Sequence, residues 1–138
     1  IRNGADVAKC MALGADAVAI GTAALIALGC NHPMYDEEFR AIGSAAGFYD
    51  DYHEGRDPAG ISTQDPDLMQ PLDPVEGGRR LANYMRVLTM EAQTLARACG
   101  KSDLRNLEPE DLVALTVESA AMARVPLAGT TWVPGQNF

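Results

Sequence analysis

The first thirty residues of the chain, IRNGADVAKCMALGADAVAIGTAALIALGC (residues 1–30), decide the fold class. A helix is predicted over residues 4–13, because apolar side chains recur there at helical spacing and a glycine follows the last turn. Residues 16–20 are too short for a helix and predict a strand buried on both faces, as in parallel sheets. A second helix is predicted over residues 22–28. This helix–strand–helix order indicates an α/β fold.

Two loops of this stretch lie where an anion could bind. The loop Arg2-Asn3-Gly4 leads into the first predicted helix, and the turn Gly21-Thr22 leads into the second. Helix N-termini expose unpaired N–H groups, glycine lets a ligand approach the backbone, and arginine adds a charge with fork geometry. In α/β barrels the loops after the last two strands commonly form such a phosphate site. The same residues also suit ordinary tight turns of an α/β core, and both interpretations stay open at this point.

The composition restricts the class of protein. The chain has 138 residues, of which 47% are hydrophobic and 22% are charged, and its formal net charge is −8. These values are typical of one globular domain or part of one, and the acidic charge argues against a nucleic-acid partner. The apolar runs fall short of the roughly 20 residues that a membrane-spanning helix needs, so no membrane partner is expected. Three widely spaced cysteines fit a reducing compartment, and a cytoplasmic location is expected.

The rest of the chain divides into two further regions, so that the predicted organisation is residues 1–30, 31–73 and 74–138. Residues 31–73 are rich in proline and glycine, but they carry too many aromatic and aliphatic side chains for a disordered linker. They therefore predict an ordered loop region, with short helices over residues 36–42 and near residues 48–53.

The C-terminal region predicts two helices and an extended tail, which makes the chain mostly α by residue count. The first helix covers residues 75–99, where an apolar stripe keeps helical spacing and Gly100 follows. The second begins at Pro109 and ends before Pro126. The side chains expected to be buried are Leu81, Tyr84, Met85, Leu88, Ala92, Leu95 and Cys99 in the first helix and Leu112, Leu115, Val117, Ala120 and Met122 in the second.

Motifs in all three regions resemble one family. Residues 2–21 are similar to the phosphate motif of FMN-dependent barrel oxidoreductases and are close to that of the IMP dehydrogenase family. Residues 21–30, GTAALIALGC, and residues 60–68, GISTQDPDL, are similar to the synthase domain of glutamate synthases. Residues 106–116 and 125–130 resemble the stand-alone glutamate synthase-like FMN proteins. That branch includes the large subunit associated with N-methylglutamate synthesis.

The resemblance implies the last units of a TIM-type (β/α)8 FMN barrel, followed by the loop region and the C-terminal helices. It implies FMN as cofactor, with the phosphate wrapped by Arg2, Asn3, Gly4, Gly21 and Thr22. The family forms glutamate or an N-alkylglutamate by reducing a 2-oxoglutarate-derived imine. Hydride transfer belongs to the cofactor, and the protein supplies position and electrostatics. A small 2-oxo acid or amine is then the expected substrate.

The resemblance also shows a departure from the family members that carry an iron–sulfur cluster. Those members use three cysteines, two of them within the pattern C-H-x-G-x-C-P-x-G. Here the frame reads YHEGRDPAG (residues 52–60), with Tyr52 and Asp57 in place of both cysteines, and Cys30 stands at the first ligand position. Tyrosine and aspartate do not replace soft thiolates around iron, so no cluster is expected. The spacing of His32 and His53 matches no metal-ligand signature, so no other metal centre is expected.

Two classes of function stay open. The first is the C-terminal part of an FMN-dependent glutamate synthase-like oxidoreductase, whose catalytic residues are expected upstream of Ile1. The second is a non-catalytic fragment or assembly subunit that binds no flavin alone. Another FMN- or phosphate-binding barrel enzyme, of the IMP dehydrogenase or 2-hydroxy acid oxidase type, is a further alternative. One strand cannot close a barrel, so other subunits or the missing N-terminal part are expected as partners.

Overall fold

The computed structural model describes residues 1–45 and 55–136, and this part of the chain is mostly helical. The α-helices are α1 (Gly4–Ala12), α2 (Thr22–Leu28), α3 (Asp36–Ala41), α4 (Pro66–Met69), α5 (Pro74–Ala98) and α6 (Val117–Ala123). Short 3₁₀ helices lie at Pro33–Tyr35, Leu104–Asn106 and Pro109–Asp111. Of the helices described, none combines the length and the apolarity needed to cross a membrane.

The chain forms two compact units. The first contains Ile1–Ala19 and the chain from Val87 onward, and the second contains Ile20–Arg86. Helix α5 is therefore shared between the two units. The organisation predicted from the sequence, with divisions after residues 30 and 73, stays a prediction.

The helices predicted in the first 45 residues are confirmed. Helix α1 begins after Asn3, whose side-chain oxygen accepts a hydrogen bond from Asp6 N–H at 3.0 Å, as a helix N-cap does. Helix α2 ends at Gly29, whose φ of 114° lies in the left-handed region that glycine adopts without strain. Helix α3 has three acidic side chains in its first turn, where they stabilise the positive end of the helix dipole.

The predicted strand at residues 16–20 is wrong for this chain. These residues form no bridge, and Asp16, Ala17 and Ala19 are exposed. A parallel strand needs a neighbour to bond its N–H and C=O groups, and no strand occurs among the residues that the structure describes. The barrel implied by the resemblance is therefore not formed within the described part of the chain.

Helix α5 confirms the long predicted helix to within one residue at each end. Asp73 precedes it, and its Oδ1 accepts hydrogen bonds from the N–H groups of Val75 at 2.9 Å and Glu76 at 3.1 Å. This cap satisfies donors that lack partners inside the first turn. Gly100, with φ of 76°, follows the last turn as predicted.

The apolar stripe of α5 is only partly buried. Leu88, Ala92 and Ala96 are buried at successive intervals of four residues. The first two belong to the predicted stripe, and Ala96 does not. Four residues advance slightly more than one helical turn, so each buried residue lies a little further around the helix than the one before it. The buried face therefore moves away from the stripe members that are spaced by three residues. The stripe members that the structure exposes are Met85, Leu95 and Cys99.

The second predicted C-terminal helix is wrong in its extent. A short 3₁₀ helix at Pro109–Asp111 ends at once, and the α-helix covers only Val117–Ala123. Ala114 N–H donates to Pro126 O at 2.8 Å and Ala114 O accepts from Ala128 N–H at 2.8 Å, an isolated parallel bridge that requires extended backbone. Within the predicted inner face Ala120 is buried and Leu112 is half-buried, whereas the exposed members are Leu115, Val117 and Met122.

Small side chains form the core of the first unit. Ala8 and Ala12 of α1 pack with Ala96 of α5 and with Leu107. A second cluster contains Ala114, Ala120 and Val125. Because alanine side chains are short, α1 and α5 lie close together. Little space is therefore left for a side chain at the start of α1.

The predicted loop region contains buried side chains where the structure describes it. Cys30, Phe39 and Ala59 are buried in the second unit, together with the polar side chains of Asp57 and Thr63. A disordered linker would leave such side chains in water. The helix predicted near residues 48–53 lies outside the described residues.

Candidate functional site

The start of α1 carries three of the five residues predicted to hold a phosphate. Arg2 and Asn3 are exposed, and Gly4 is buried. Arg2 N–H donates to Asp6 Oδ2 at 2.9 Å, so the loop closes on the first turn of its own helix. This hydrogen bond from Arg2, with the nearby Lys9 ammonium, holds the pKa of the Asp6 carboxyl below its usual value. The loop is therefore ordered, with its cationic residue at the surface.

A carboxylate from α5 lies at the same helix end. Glu91 Oε2 accepts a hydrogen bond from Gly4 N–H at 2.8 Å. This N–H is one of the groups that an incoming phosphate would use, and the protein's own carboxylate already satisfies it. Sequence reasoning missed Glu91 because it lies 87 residues from Gly4 and no local pattern in α5 marks it.

Packing against α5 explains why position 4 is glycine. A Cβ added to Gly4 would overlap Glu91 Cβ and would lie 2.5 Å from Ala92 N and 2.6 Å from Leu88 O. Two of these atoms belong to the α5 backbone, which cannot rotate away. The glycine is thus required by the contact of two helices, which agrees with the alternative interpretation that small residues serve tight packing here.

The second predicted loop begins α2, in the other unit. Gly21 is the residue before α2, with φ of −130° and ψ of −97°, and no side chain caps this helix end. A Cβ at Gly21 would have no atom within 4 Å, so neither packing nor a positive φ requires glycine there. Thr22 follows as the first helical residue. That the two loops hold one phosphate together stays a prediction.

Asp57 is fully buried, and its carboxylate organises the loop that follows it. Oδ1 accepts from Ala59 N–H at 3.0 Å, and Oδ2 accepts from the N–H groups of Ile61 at 3.1 Å and Ser62 at 3.3 Å. A buried carboxylate needs several donors, and the backbone supplies them here. Asp57 therefore holds this loop by hydrogen bonds.

The described residues include no group of three or more His, Cys, Asp or Glu side chains that could hold a metal ion. Cys30, which stands at the first ligand position of the resembling pattern, is buried. Tyr52 lies outside the residues that the structure describes. The predicted absence of a cluster therefore stays a prediction.

The charged start of α5 is paired within the helix. Arg79 Nε donates to Glu76 Oε2 at 2.9 Å, and Arg80 Nε donates to Glu76 Oε1 at 3.2 Å. The two guanidinium groups, Arg79 first, lower the pKa of Glu76 to about 2. Arg80 also lines a cavity of about 160 Å³ beside Gly29 and Tyr35. Because both arginines bind Glu76, this arrangement acts as a structural ion pair rather than as an anion site.

The chain belongs to the glutamate synthase family. The profile of that family, described as a conserved region in glutamate synthase, matches residues 1–35 and 44–102. The match includes both predicted phosphate loops and the whole of α5. The predicted resemblance to glutamate synthases is confirmed.

Curated relatives agree with this family. The chain is 71% identical to the glutamate synthase large subunit-like protein of Rhizobium meliloti over 137 residues, 99% of this chain and 31% of the relative. It is 42% identical to the archaeal glutamate synthase (NADPH) of Methanocaldococcus jannaschii over 107 residues, 78% of this chain and 18% of the relative. The archaeal-type glutamate synthase (NADPH) of Thermotoga maritima is 40% identical over 107 residues, with the same shares.

The chain thus spans less than a third of the length of these relatives. No solved structure matches it.

Proposed function

We propose that this chain is the C-terminal part of an FMN-dependent glutamate synthase-like oxidoreductase and contributes to the phosphate end of the flavin site. The observation that carries the proposal is the family match, which includes Arg2, Asn3, Gly4, Gly21 and Thr22. In the longer protein the chain would complete a (β/α)8 barrel together with the part that it does not cover. A cytoplasmic location belongs to the same proposal.

The residues present fit a phosphate unequally. Open space beside Gly21 and the exposed position of Arg2 support contact at these two residues. Gly4 N–H, in contrast, is bound to Glu91. We therefore assign Arg2, Asn3, Gly21 and Thr22 to the phosphate and give Gly4 the separate role of holding α1 against α5.

The proposed reaction is the reduction of a 2-oxoglutarate-derived imine. The imine carbon gains a hydride and the nitrogen gains a proton, which gives glutamate, or an N-alkylglutamate when the nitrogen carries an alkyl group. FMN, when bound, would supply the hydride transfer. The names of the archaeal relatives include NADPH, which supports NADPH as the source of electrons. Residues that contact the flavin ring and the imine are proposed to lie in the part of the relatives that this chain does not cover.

Flavin binding by the assembled protein tests this proposal. The 138-residue chain is combined with the remaining part of the R. meliloti relative, and the affinities for FMN and riboflavin are measured by flavin fluorescence. Arg2→Ala should weaken FMN binding by about tenfold or more, since a hydrogen bond to a charged group contributes about 1.5–3 kcal/mol. Riboflavin has no phosphate, so its binding should not change.

Lys9→Ala is the matched control, because Lys9 is an exposed cation on the same helix. It should alter the affinity for neither flavin. Equal weakening of FMN and riboflavin by Arg2→Ala would contradict the phosphate role of Arg2. An assembled protein that binds no flavin would favour the non-catalytic assembly subunit instead.

A further inference from the structure

A loop of the second unit is buried although it forms neither helix nor strand. Residues 57–60 are all buried, and the loop continues to Ser62. We call residues 57–62 the Asp57 loop. Backbone that is buried outside helices and sheets carries N–H groups that need other acceptors. The acceptors of these N–H groups therefore show what holds the loop.

Every backbone N–H group from residue 59 to residue 62 donates to Asp57. Ala59 N–H donates to Oδ1 at 3.0 Å, and the N–H groups of Ile61 and Ser62 donate to Oδ2 at 3.1 Å and 3.3 Å. Gly60 N–H donates to the Asp57 carbonyl oxygen at 3.0 Å. The proline at position 58 has no N–H group to satisfy. One residue thus satisfies all the backbone donors of the loop.

The backbone of this loop is shaped as an anion site. Neighbouring N–H groups that point to one centre form a concavity that binds a negative charge. Gly60 allows this shape, since its φ of 76° lies in the left-handed region. A Cβ at Gly60 would also lie 2.6 Å from Leu68 O of α4, so the loop is packed closely from outside. The loop therefore requires an acceptor at position 57, and an anionic one suits it best.

The Asp57 carboxylate does not fit the role of a cluster ligand. Position 57 is where the cluster-bearing members have the second cysteine of the pattern C-H-x-G-x-C-P-x-G. Here Oδ2 accepts from two N–H groups and from Ser62 Oγ at 3.5 Å, and Oδ1 accepts from a further N–H group. A bond to iron would take acceptor capacity away from buried donors, and carboxylate oxygen is a poor substitute for soft thiolate.

We propose that the Asp57 carboxylate replaces a cluster ligand as the anion that holds this loop, so that the second unit keeps the loop conformation without iron. Cysteines that bind a cluster are thiolates, which are anionic acceptors as well. An aspartate at this position keeps the negative charge for the N–H groups and removes the soft sulfur that iron requires. This inference concerns the loop alone and does not depend on flavin binding.

Hydrogen exchange of single N–H groups tests the role of the carboxylate. Exchange is measured by NMR for the 138-residue chain and for Asp57→Asn, in which an NH₂ group replaces one accepting oxygen. The N–H groups of Ile61 and Ser62 should exchange at least about tenfold faster in the variant, because they lose bonds to a charged acceptor. Asp65→Asn is the control, since Asp65 Oδ1 accepts from Asp67 N–H at 2.9 Å, outside the Asp57 loop. It should leave both exchange rates unchanged.

Two results of this experiment would overturn the proposal. The first is unchanged exchange at Ile61 and Ser62 in Asp57→Asn, which would show that the carboxylate is not their acceptor. The second is an equal acceleration at Ala96, which is buried in the first unit. The substitution would then lower the stability of the whole chain without a particular effect on the loop.

A measurement on the wild-type chain tests the independence from iron without any variant. The chain is incubated anaerobically with ferrous iron and sulfide and then desalted. Its iron content and thermal midpoint are compared with those of untreated chain and of chain kept in EDTA. We expect no stoichiometric iron and the same midpoint in all three samples. Stoichiometric iron after desalting, or a midpoint that falls in EDTA, would overturn the proposal.

Discussion

Gly4→Ala should destabilise the first unit, because the added methyl group has no room where α1 contacts α5. A Cβ at position 4 would overlap Glu91 Cβ and would lie 2.5 Å from Ala92 N and 2.6 Å from Leu88 O. Since the last two atoms belong to the backbone of a long helix, α1 has to move as a whole. That movement also stretches the 2.8 Å hydrogen bond from Gly4 N–H to Glu91.

The expected magnitude follows from opposing contributions to the free energy of unfolding. Overpacking of this kind costs about 1–3 kcal/mol, and the weakened bond to a carboxylate adds to that loss. Alanine in place of glycine gains about 0.5–1 kcal/mol in a helix interior, and this gain is smaller in the first turn. The net effect of Gly4→Ala should therefore be a loss of about 1–3 kcal/mol.

Gly78→Ala is the matched control. It makes the same substitution within α5, at an exposed position where a Cβ has no atom within 4 Å. This variant should gain up to about 1 kcal/mol, so the two glycine variants should differ in sign. Urea unfolding followed by circular dichroism measures both. If Gly4→Ala stabilised the chain as Gly78→Ala does, α1 would not pack on α5 as described here.

Three further predictions concern the core, the buried carboxylate and the charged start of α5. Leu88→Ala should cost about 2–5 kcal/mol in a urea melt, whereas the exposed Met85→Ala should change the free energy of unfolding by less than about 0.5 kcal/mol. Asp57→Asn replaces a carboxylate oxygen, which accepts hydrogen bonds from backbone N–H groups, with an NH₂ group that cannot accept them. This variant should lower the free energy of unfolding by about 1–3 kcal/mol. Asp65→Asn, at an exposed N-cap, should be nearly neutral in the same assay. Because the pKa of Glu76 is lowered from 4.5 to about 2, its ion pairs should stabilise the helix start above pH 4.5 and lose their effect as the pH falls toward 2. An NMR titration that gave Glu76 a pKa near 4.5 would show that these ion pairs do not form in solution.

Helix ends could be predicted from the sequence because their signals are local. Gly14, Gly29 and Gly100 all adopt positive φ in the turns that follow helices, where residues with a Cβ are strained. Asp73 caps α5 by bonding N–H groups two and three residues ahead. Signals of this kind need no information from distant parts of the chain, so the bounds of α1, α2 and α5 followed from the sequence alone.

The errors occur where a distant partner decides the backbone conformation. Residues 16–20 carry the composition of a buried strand, but a strand forms only beside another strand. Residues 109–123 carry helical periodicity, but the bridge between Ala114 and Leu127 holds the backbone extended at Ala114, between the 3₁₀ helix and α6. A periodic pattern reports which side chains prefer burial, and it does not report whether a partner for the backbone is present.

The candidate site shows the same division between local and distant causes. Gly4 and Gly21 have equal weight in a sequence motif, yet only Gly4 is constrained by the folded chain, through its contact with α5. A Cβ at Gly21 would meet no atom within 4 Å, so packing among the described residues does not require glycine there. The contact of Gly4 with α5 would fix the position at which α1 begins, and with it the position of Arg2. The 2.8 Å hydrogen bond from Gly4 N–H to Glu91 fixes this helix start against α5, which is a cause that lies 87 residues away in the sequence.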